Sequence, residues 1–384
     1  MKSNHTIGPV ELLILQGSPF CNINCKYCYL PDRMNKRRMA RETVEKTIDR
    51  LMADHLFGTE VSVVWHAGEP LAVPLAYYQE LFPLIRERIP AAVRVNHHIQ
   101  TNAMLLNDEW CAFIKENQIH VGISVDGPQF LNDINRLTRS GKSTFSKVME
   151  GIAYLNAHDI NYHAIAVITQ EAMHHPDEIY SFFKDLGVTK LGLNIEEIEG
   201  IHTHSSLSMD DTALELVAQF YKKLYERQLE DDQPLHIREL DDAKRKLLAI
   251  PLDYFSLHGT TQQNNPCQIV SVDIDGNFST FSPELLGQKD DGYQNFILGN
   301  VHETGFREAL NSALFKKWFG EIMLGIRNCE EKCPYFSFCG GGVPANKYYE
   351  NASFESTETI QCKYSIQTPL EIITSRLEEA LHPS

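Results

Sequence analysis

Apolar and polar positions alternate in a repeating pattern from residue 10 to about residue 230. Short apolar runs that predict strands lie at Val10–Leu15, Val61–His66, Val93–Gln100, His120–Val125, Tyr162–Ile168 and Lys190–Ile195. Helical patterns fill the gaps, at about Arg41–Phe57, Leu75–Arg88, Asp108–Glu116, Thr144–Ala157, Asp177–Leu186 and Asp210–Leu229. Val44, Ile48, Leu51 and Met52 show the period that buries one face of a helix. Six strands alternating with helices predict right-handed βαβ units around a parallel sheet, and therefore an α/β fold. This first unit is expected over residues 8–232. Residues 233–262 carry charge and less pattern, and predict a helical connector. Cysteines and glycines then become dense, which predicts a second, small unit with a metal core over 263–365 and a final helix over 366–384.

Composition narrows the picture. The formal charge is −16, from 51 acidic and 35 basic residues. Such a surface argues against nucleic-acid phosphates and suits a neutral or basic partner, although charge alone also fits any soluble acidic enzyme. A hydrophobic content of 43% is enough for real cores. Val10 to Leu15 is too short for the apolar region of a signal peptide, and no apolar run approaches a membrane span. The nine cysteines then point to metal ligands rather than disulfides, and the expected location is the cytoplasm.

Chemistry is concentrated first in Cys21-Asn22-Ile23-Asn24-Cys25-Lys26-Tyr27-Cys28, directly after the first strand. Three thiolates at C-x3-C-x2-C spacing can hold an iron–sulfur cubane and leave one of its four irons open. A structural zinc site or three buried thiols are the alternatives. With Tyr27 ahead of the last cysteine, the motif resembles the signature of radical S-adenosylmethionine (SAM) enzymes. The resemblance implies a partial (β/α)6 barrel of TIM type, with its site at the carboxyl ends of the strands. It also implies a 4Fe–4S cluster on Cys21, Cys25 and Cys28 whose open iron chelates SAM, and one-electron cleavage of SAM to a 5′-deoxyadenosyl radical.

Further segments fit that resemblance. Trp65-His66-Ala67-Gly68-Glu69-Pro70 is similar to the family's GGEP motif, with Ala67 in place of the first glycine, and places Ala67, Gly68 and Glu69 at the methionine end of SAM. Gln100 and Asn102 end the third strand, and Ser124 ends the fourth; they resemble segments that contact SAM or its ribose. Arg136 is a candidate fork for the SAM carboxylate. Tyr27 would set a ring beside the cluster and the adenine. Each of these residues also has a plain loop or packing role open to it.

The carboxyl-terminal unit resembles the SPASM domain of radical SAM peptide maturases. Cys329-x3-Cys333-x5-Cys339 and Cys362 match the four ligands of its outer cluster, with the first spacing one residue longer than the family's. Val343 stands where the family has a further cysteine, and Phe281 stands where the cysteine of a G-x4-C element is expected. Only Cys267 is left for an inner cluster. The resemblance therefore implies one auxiliary 4Fe–4S cluster with full protein ligation, which has no open iron and carries electrons; a four-cysteine zinc site is the alternative. Cys267 is then a spare ligand or a buried thiol, and Cys111, beside Phe113 and Ile114, a packing residue.

Leu15-Gln16-Gly17-Ser18-Pro19-Phe20, the continuation Tyr29-Leu30-Pro31-Asp32-Arg33, and Leu193 to Gly200 around Asn194-Ile195-Glu196-Glu197 narrow the likeness. They resemble the cyclophane-forming SPASM maturases of the GrrM/OscB group. This implies a ribosomal precursor peptide as substrate, a C–C bond from an aromatic ring to a nearby Cβ, and an electron donor such as flavodoxin or ferredoxin. Glu196 or Glu197, at the end of the sixth strand, would accept the ring proton or bind the peptide. With only nine residues ahead of Val10, the peptide's leader is expected to rely on the barrel, the connector or another protein. Sulfatase-type formylglycine formation, thioether crosslinking and a non-catalytic iron–sulfur or zinc scaffold remain as other readings. Against the first stands Ser282, at the position of that family's proton-accepting Asp.

Overall fold

The computed structural model describes residues 7–208, 210–248 and 261–381. All six expected strands form: β1 (Val10–Leu15), β2 (Phe57–Trp65), β3 (Arg94–Thr101), β4 (His120–Ser124), β5 (Tyr162–Ile168) and β6 (Lys190–Ile195). They lie side by side in chain order, every pair parallel. The returning helices are α1 (Arg41–Ala53), α2 (Leu75–Arg88), α3 (Asp108–Glu116), α4 (Gln129–Asn135), α5 (Phe145–Ala157), α6 (Pro176–Asp185) and α7 (Asp211–Glu230). Caps set several starts: Asn107 accepts from the Trp110 N–H at 2.9 Å, and Asp210 from that of Ala213 at 3.0 Å.

Two local expectations change. Helix α1 stops at Ala53 because β2 begins already at Phe57; Val44, Ile48 and Leu51 are buried, while Met52 lies at the edge of the apolar stripe and is exposed. Helix α4 was not expected, since seven residues between Pro128 and Arg136 are too few to show a period.

The larger difference is in the sheet. Among the described residues it has ten strands, adding β7 (His236–Ile237), β8 (Ile269–Val272), β9 (Asn277–Thr280) and β10 (Gly299–Asn300) in the order β10-β9-β8-β1-β2-β3-β4-β5-β6-β7. β8 runs parallel to β1, with Leu12 opposite Ile269 and Leu15 opposite Val272, and β9 and β10 add antiparallel. The sheet is open and mixed, and the carboxyl-terminal segment starts as part of it. The expected connector contributes α8 (Arg238–Leu248); its residues 249–260 lie outside the described residues. The final helix runs Thr368–Leu381. No helix among the described residues is long and apolar enough to cross a membrane.

Beyond β9 the core is aromatic. Phe281 is fully buried, stacked on Phe315 and Phe319 and edge-on to Trp318 at 5.1 Å. Its ring holds β9 to the long helix Ala313–Lys332. Phe281→Ala is expected to lower the free energy of unfolding by about 3–5 kcal/mol and Phe281→Leu by under half of that, measured by urea denaturation.

Candidate functional site

The chain leaves β1 into the cysteine loop, which is tied down from outside. The Cys21 N–H donates to Arg33 O at 3.1 Å, Asn24 N–H to Leu137 O at 2.8 Å, and Lys26 N–H to Asn135 O at 3.2 Å. Arg33 Nη1 donates to Cys25 O at 3.1 Å, and Arg139 Nη2 to Cys21 O at 2.9 Å. Burial, and then the Glu69 charge, pushes the Cys21 thiol up to about 12; burial pushes Cys25 up to about 11. The charges of Cys25 and Cys28 add to the rise at Cys21, and that of Cys28 to the rise at Cys25. Thiols in that condition ionise when a cationic centre binds them, which suits a metal cluster.

After β2 the turn passes directly beneath this loop. A side chain on Gly68 would lie 2.4 Å from Phe20 O, so only glycine fits there. Ala67 takes φ of 73°, the left-handed region that favours glycine, so the exchange of Gly for Ala retains the turn at a cost of about 1 kcal/mol. Glu69 is buried, and its carboxylate accepts from Thr101 Oγ1 at 2.6 Å, Asn102 N–H at 2.8 Å and Leu71 N–H at 3.0 Å. It thus fastens the end of β3, and Asn102 Nδ2 donates onward to Asn22 Oδ1 in the cysteine loop at 2.7 Å. Gln100 Nε2 and Ser124 Oγ hydrogen-bond each other at 2.8 Å across β3 and β4.

Asp126 organises the other flank, and sequence reading passed over it. Its carboxylate accepts from Tyr27 OH at 2.6 Å, Arg136 Nε at 2.9 Å and Val167 N–H at 3.0 Å. The Arg136 guanidinium sits over the Tyr27 ring, 5.5 Å from its centre, with Nη1 4.0 Å from Cys25 Sγ. The available signal was an acid just past a strand end with an arginine ten residues later.

Cys329, Cys333, Cys339 and Cys362 line a single cavity. Cys329 occupies the last turn of helix Ala313–Lys332 and Cys333 caps it. After Cys339, Gly340, Gly341 and Gly342 all take positive φ, and a Cβ on Gly341 would press to 3.0 Å on Ile326. That turn returns the chain toward the cavity. N–H groups are aimed at the sulfurs: Thr359 N–H at 3.4 Å and Gln367 Nε2 at 3.6 Å from Cys362, and Lys347 Nζ at 3.3 Å from Cys329. Donors around sulfur suit thiolates bound to a cluster. Among the described residues no three His, Cys, Asp or Glu converge as for a single metal ion. Cys111 and Cys267 are both buried in apolar packing, Cys267 pushed up to about 12 by that burial.

A cavity of about 400 Å³ reaches from the end of β6 to this four-cysteine region, and is lined by Glu197, Glu199, Glu284, Asn346, Gln361 and Cys362, among others. Glu196 and Glu197 part company. Glu196 turns into its own loop, accepting from His202 Nε2 at 3.1 Å and Ser206 N–H at 2.8 Å. Glu197 faces the cavity and accepts from Asn346 Nδ2 at 2.5 Å and Gln361 Nε2 at 2.8 Å. Burial raises Glu197, burial and Glu197 raise Glu199 well above the usual carboxylate range, and burial and Glu197 raise Glu284 to about 7. Toward the cysteine loop, Tyr29 OH meets His66 Nε2 at 3.2 Å, and burial holds His66 down at about 4. Sequence reading missed Glu199, Glu284, Tyr29 and His66, which no shared spacing links.

Comparison with known proteins agrees with this geometry. Residues 15–183 match the model of the radical SAM superfamily. The chain is 38% identical to an uncharacterized protein of Synechocystis sp. over 97% of its own length and 94% of that protein's. It is 35% identical to a serine-type anaerobic sulfatase-maturating enzyme of Bacteroides thetaiotaomicron, over 92% and 87%. In fold it is similar to native anSMEcpe with bound AdoMet and Cp18Cys peptide, with a TM-score of 0.76, 23% identity and coverage of 97% of this chain and 99% of that one. Streptococcus suis SuiB bound to precursor peptide SuiA gives a TM-score of 0.65, 17% identity and coverage of 93% and 77%. Relatives of this identity across nearly the whole length, together with the cysteine loop and the strand-end residues that brace it, establish that the chain belongs to the radical SAM superfamily.

Proposed function

We propose that this enzyme modifies a precursor peptide by joining an aromatic ring to the Cβ of a nearby residue, with Cys21, Cys25 and Cys28 holding the cluster that binds SAM. Cys329, Cys333, Cys339 and Cys362 hold a second, fully ligated cluster. When bound, the first cluster and SAM supply a hydrogen-abstracting carbon radical, and the second cluster a one-electron acceptor. Tyr27, Ala67, Gly68, Glu69, Gln100, Asn102, Ser124 and Arg136 are the residues that would hold SAM. Asp126 and Glu69 each accept three hydrogen bonds, which orient Tyr27, Arg136, Thr101 and Asn102 and leave one acceptor site open on each carboxylate.

One observation carries the reading. The acidic cavity runs from the end of β6 to Cys362, and Glu197 hydrogen-bonds Gln361, the residue before that cysteine. The crosslink removes two hydrogens from the peptide. One leaves as an atom; the other leaves the ring as a proton with an electron behind it. A carboxylate poised near neutrality suits the proton, and a four-cysteine site beside it suits the electron. Glu284, raised to about 7, is the acceptor, and Glu197 holds its neighbours in place.

The similarity to a sulfatase-maturating enzyme favours a second reading, oxidation of a serine or cysteine to formylglycine. Oxidised serine also loses two hydrogens, so mass alone does not separate the two. In the crosslink, tandem fragmentation yields no cleavage between the linked residues, and a hydrazide probe leaves the product unlabelled. Hydrazide labelling with normal fragmentation overturns the crosslink.

Glu284 also makes pH a test. Its carboxyl is raised from 4.5 to about 7 in the fold, so the folded chain binds more protons than the unfolded chain across that interval. Its contribution to stability therefore falls as pH rises from about 4.5 to 7. Glu284→Gln is expected to melt higher than the parent at pH 8, with the difference shrinking toward pH 5. Its turnover is expected to fall at least tenfold and to lose the rise with pH near 7; calorimetry and single-turnover assays over pH 5–8 check both. Replacing Cys21, Cys25 and Cys28 with alanine is expected to leave four irons per chain and no SAM cleavage, read by iron and sulfide analysis after anaerobic reconstitution.

A further inference from the structure

Lys347 is buried, 3% exposed, on the helix Pro344–Asn351. Its Nζ donates to Gly325 O at 3.0 Å and to Cys329 Sγ at 3.3 Å. Among the described residues it forms no ion pair with a carboxylate: Glu358, the acid lining the same cavity, pairs instead with Lys363 at 3.1 Å. An ammonium taken out of water needs a negative partner, and a carbonyl dipole with a neutral thiol is a poor one. Thiolates gathered on an iron–sulfur cluster carry the missing charge, because their sulfurs keep net negative charge after binding iron.

We propose that Lys347 is the internal counter-charge of the cluster held by Cys329, Cys333, Cys339 and Cys362, and that it raises the potential at which that cluster takes up one electron. The proposal rests on the four-cysteine ligand set given above. Uptake of one electron makes the cluster one charge more negative, and an ammonium against a ligand sulfur stabilises that reduced form more than the oxidised form. In the crosslinking balance, a Cβ–H and a ring C–H break and one C–C bond forms. One hydrogen leaves as an atom, and the ring hydrogen leaves as a proton to the carboxyl cavity; the cluster, when bound, would supply an acceptor for the remaining electron. Lys347 gains and loses nothing; it is a positioning residue that sets how readily the electron is accepted.

The other charges around the site do not substitute for it. Glu358 is offset by Lys363 and accepts from Gln367 Nε2 at 2.8 Å. Lys246 acts on Cys339 from the neighbouring cavity but is partly exposed, so solvent screens it. Among the described charged side chains around this cavity, Lys347 alone combines full burial with direct contact to one of its four sulfurs.

The test uses the full chain with Cys21, Cys25 and Cys28 replaced by alanine, so that only the auxiliary cluster is loaded. Electrochemical titration followed by electron paramagnetic resonance gives its reduction potential in this background, and with Lys347→Met, Lys347→Arg and Lys246→Met added. Lys347→Met is expected to cut the ratio of reduced to oxidised cluster at least tenfold at a fixed potential, a fall of about 59 mV for a one-electron couple. Lys347→Arg and Lys246→Met should change that ratio less than threefold. If Lys347→Met fails to load iron, Lys347→Gln, which keeps an N–H donor and loses only the charge, takes its place with the same expected fall. Equal potentials with and without the charge overturn the proposal. Absence of any iron–sulfur cluster in the triple-alanine background overturns the ligand set beneath it, and the two failures are distinct.

Discussion

The ladder between β8 and β1 is the constraint on which the rest of the molecule depends. The Glu11 and Leu12 N–H groups both donate to Gln268 O at 3.0 Å, the Gly8 N–H donates to Pro266 O at 2.8 Å, and four successive residues of each strand then pair in register. β1 ends in the cysteine loop, while β8 leads through β9 and Phe281 to the helix that carries Cys329 and Cys333. Backbone hydrogen bonding thus joins the two sulfur-rich regions through one rigid sheet. It also covers an edge of β1 that would otherwise offer unpaired N–H and C=O groups to other chains.

Around the cysteine loop, buried charge is handled by mutual satisfaction. Asp126, Arg136 and Tyr27 form one unit beneath Cys25, and Glu69 accepts from three donors of its own turn and the end of β3. Such groups are costly to bury singly and favourable only when every partner is present. The result is a mouth whose polar side chains are tied to one another around the thiols. The acidic cavity is built differently. Its carboxyls crowd one another; burial raises the proton affinity of all three, and the Glu197 charge adds to the rise at Glu199 and Glu284.

The carboxyl-terminal segment also depends on packing. Phe281 lies in a stack of rings and Cys267 inside apolar packing. Aromatic stacking there holds a short hairpin to a long helix. The carboxyl-terminal segment is in this way half hydrophobic core and half cysteine site.

Much of this was legible in the chain. Alternating apolar runs marked β1, β5 and β6 to the residue and β3 and β4 to within one, because strands buried by flanking helices are apolar and regularly spaced, whereas β2 starts four residues before its apolar run. Spacing also gave the cysteine loop, since its three thiols are local neighbours, and the glycines that let their turns close. The sequence could not show β8 beside β1, nor the separation of Glu196 from Glu197, nor the meeting of Glu197, Glu199 and Glu284. Those depend on contacts between residues far apart in the chain, for which no period or spacing exists. Asp126 and Lys347 belong with them: an acid after a strand and a lysine on a helix look solvated until packing closes over them. What the chain determines by itself is local conformation and which groups can bind metal; the tertiary structure decides which charges are buried together, because burial is a property of the assembled layers.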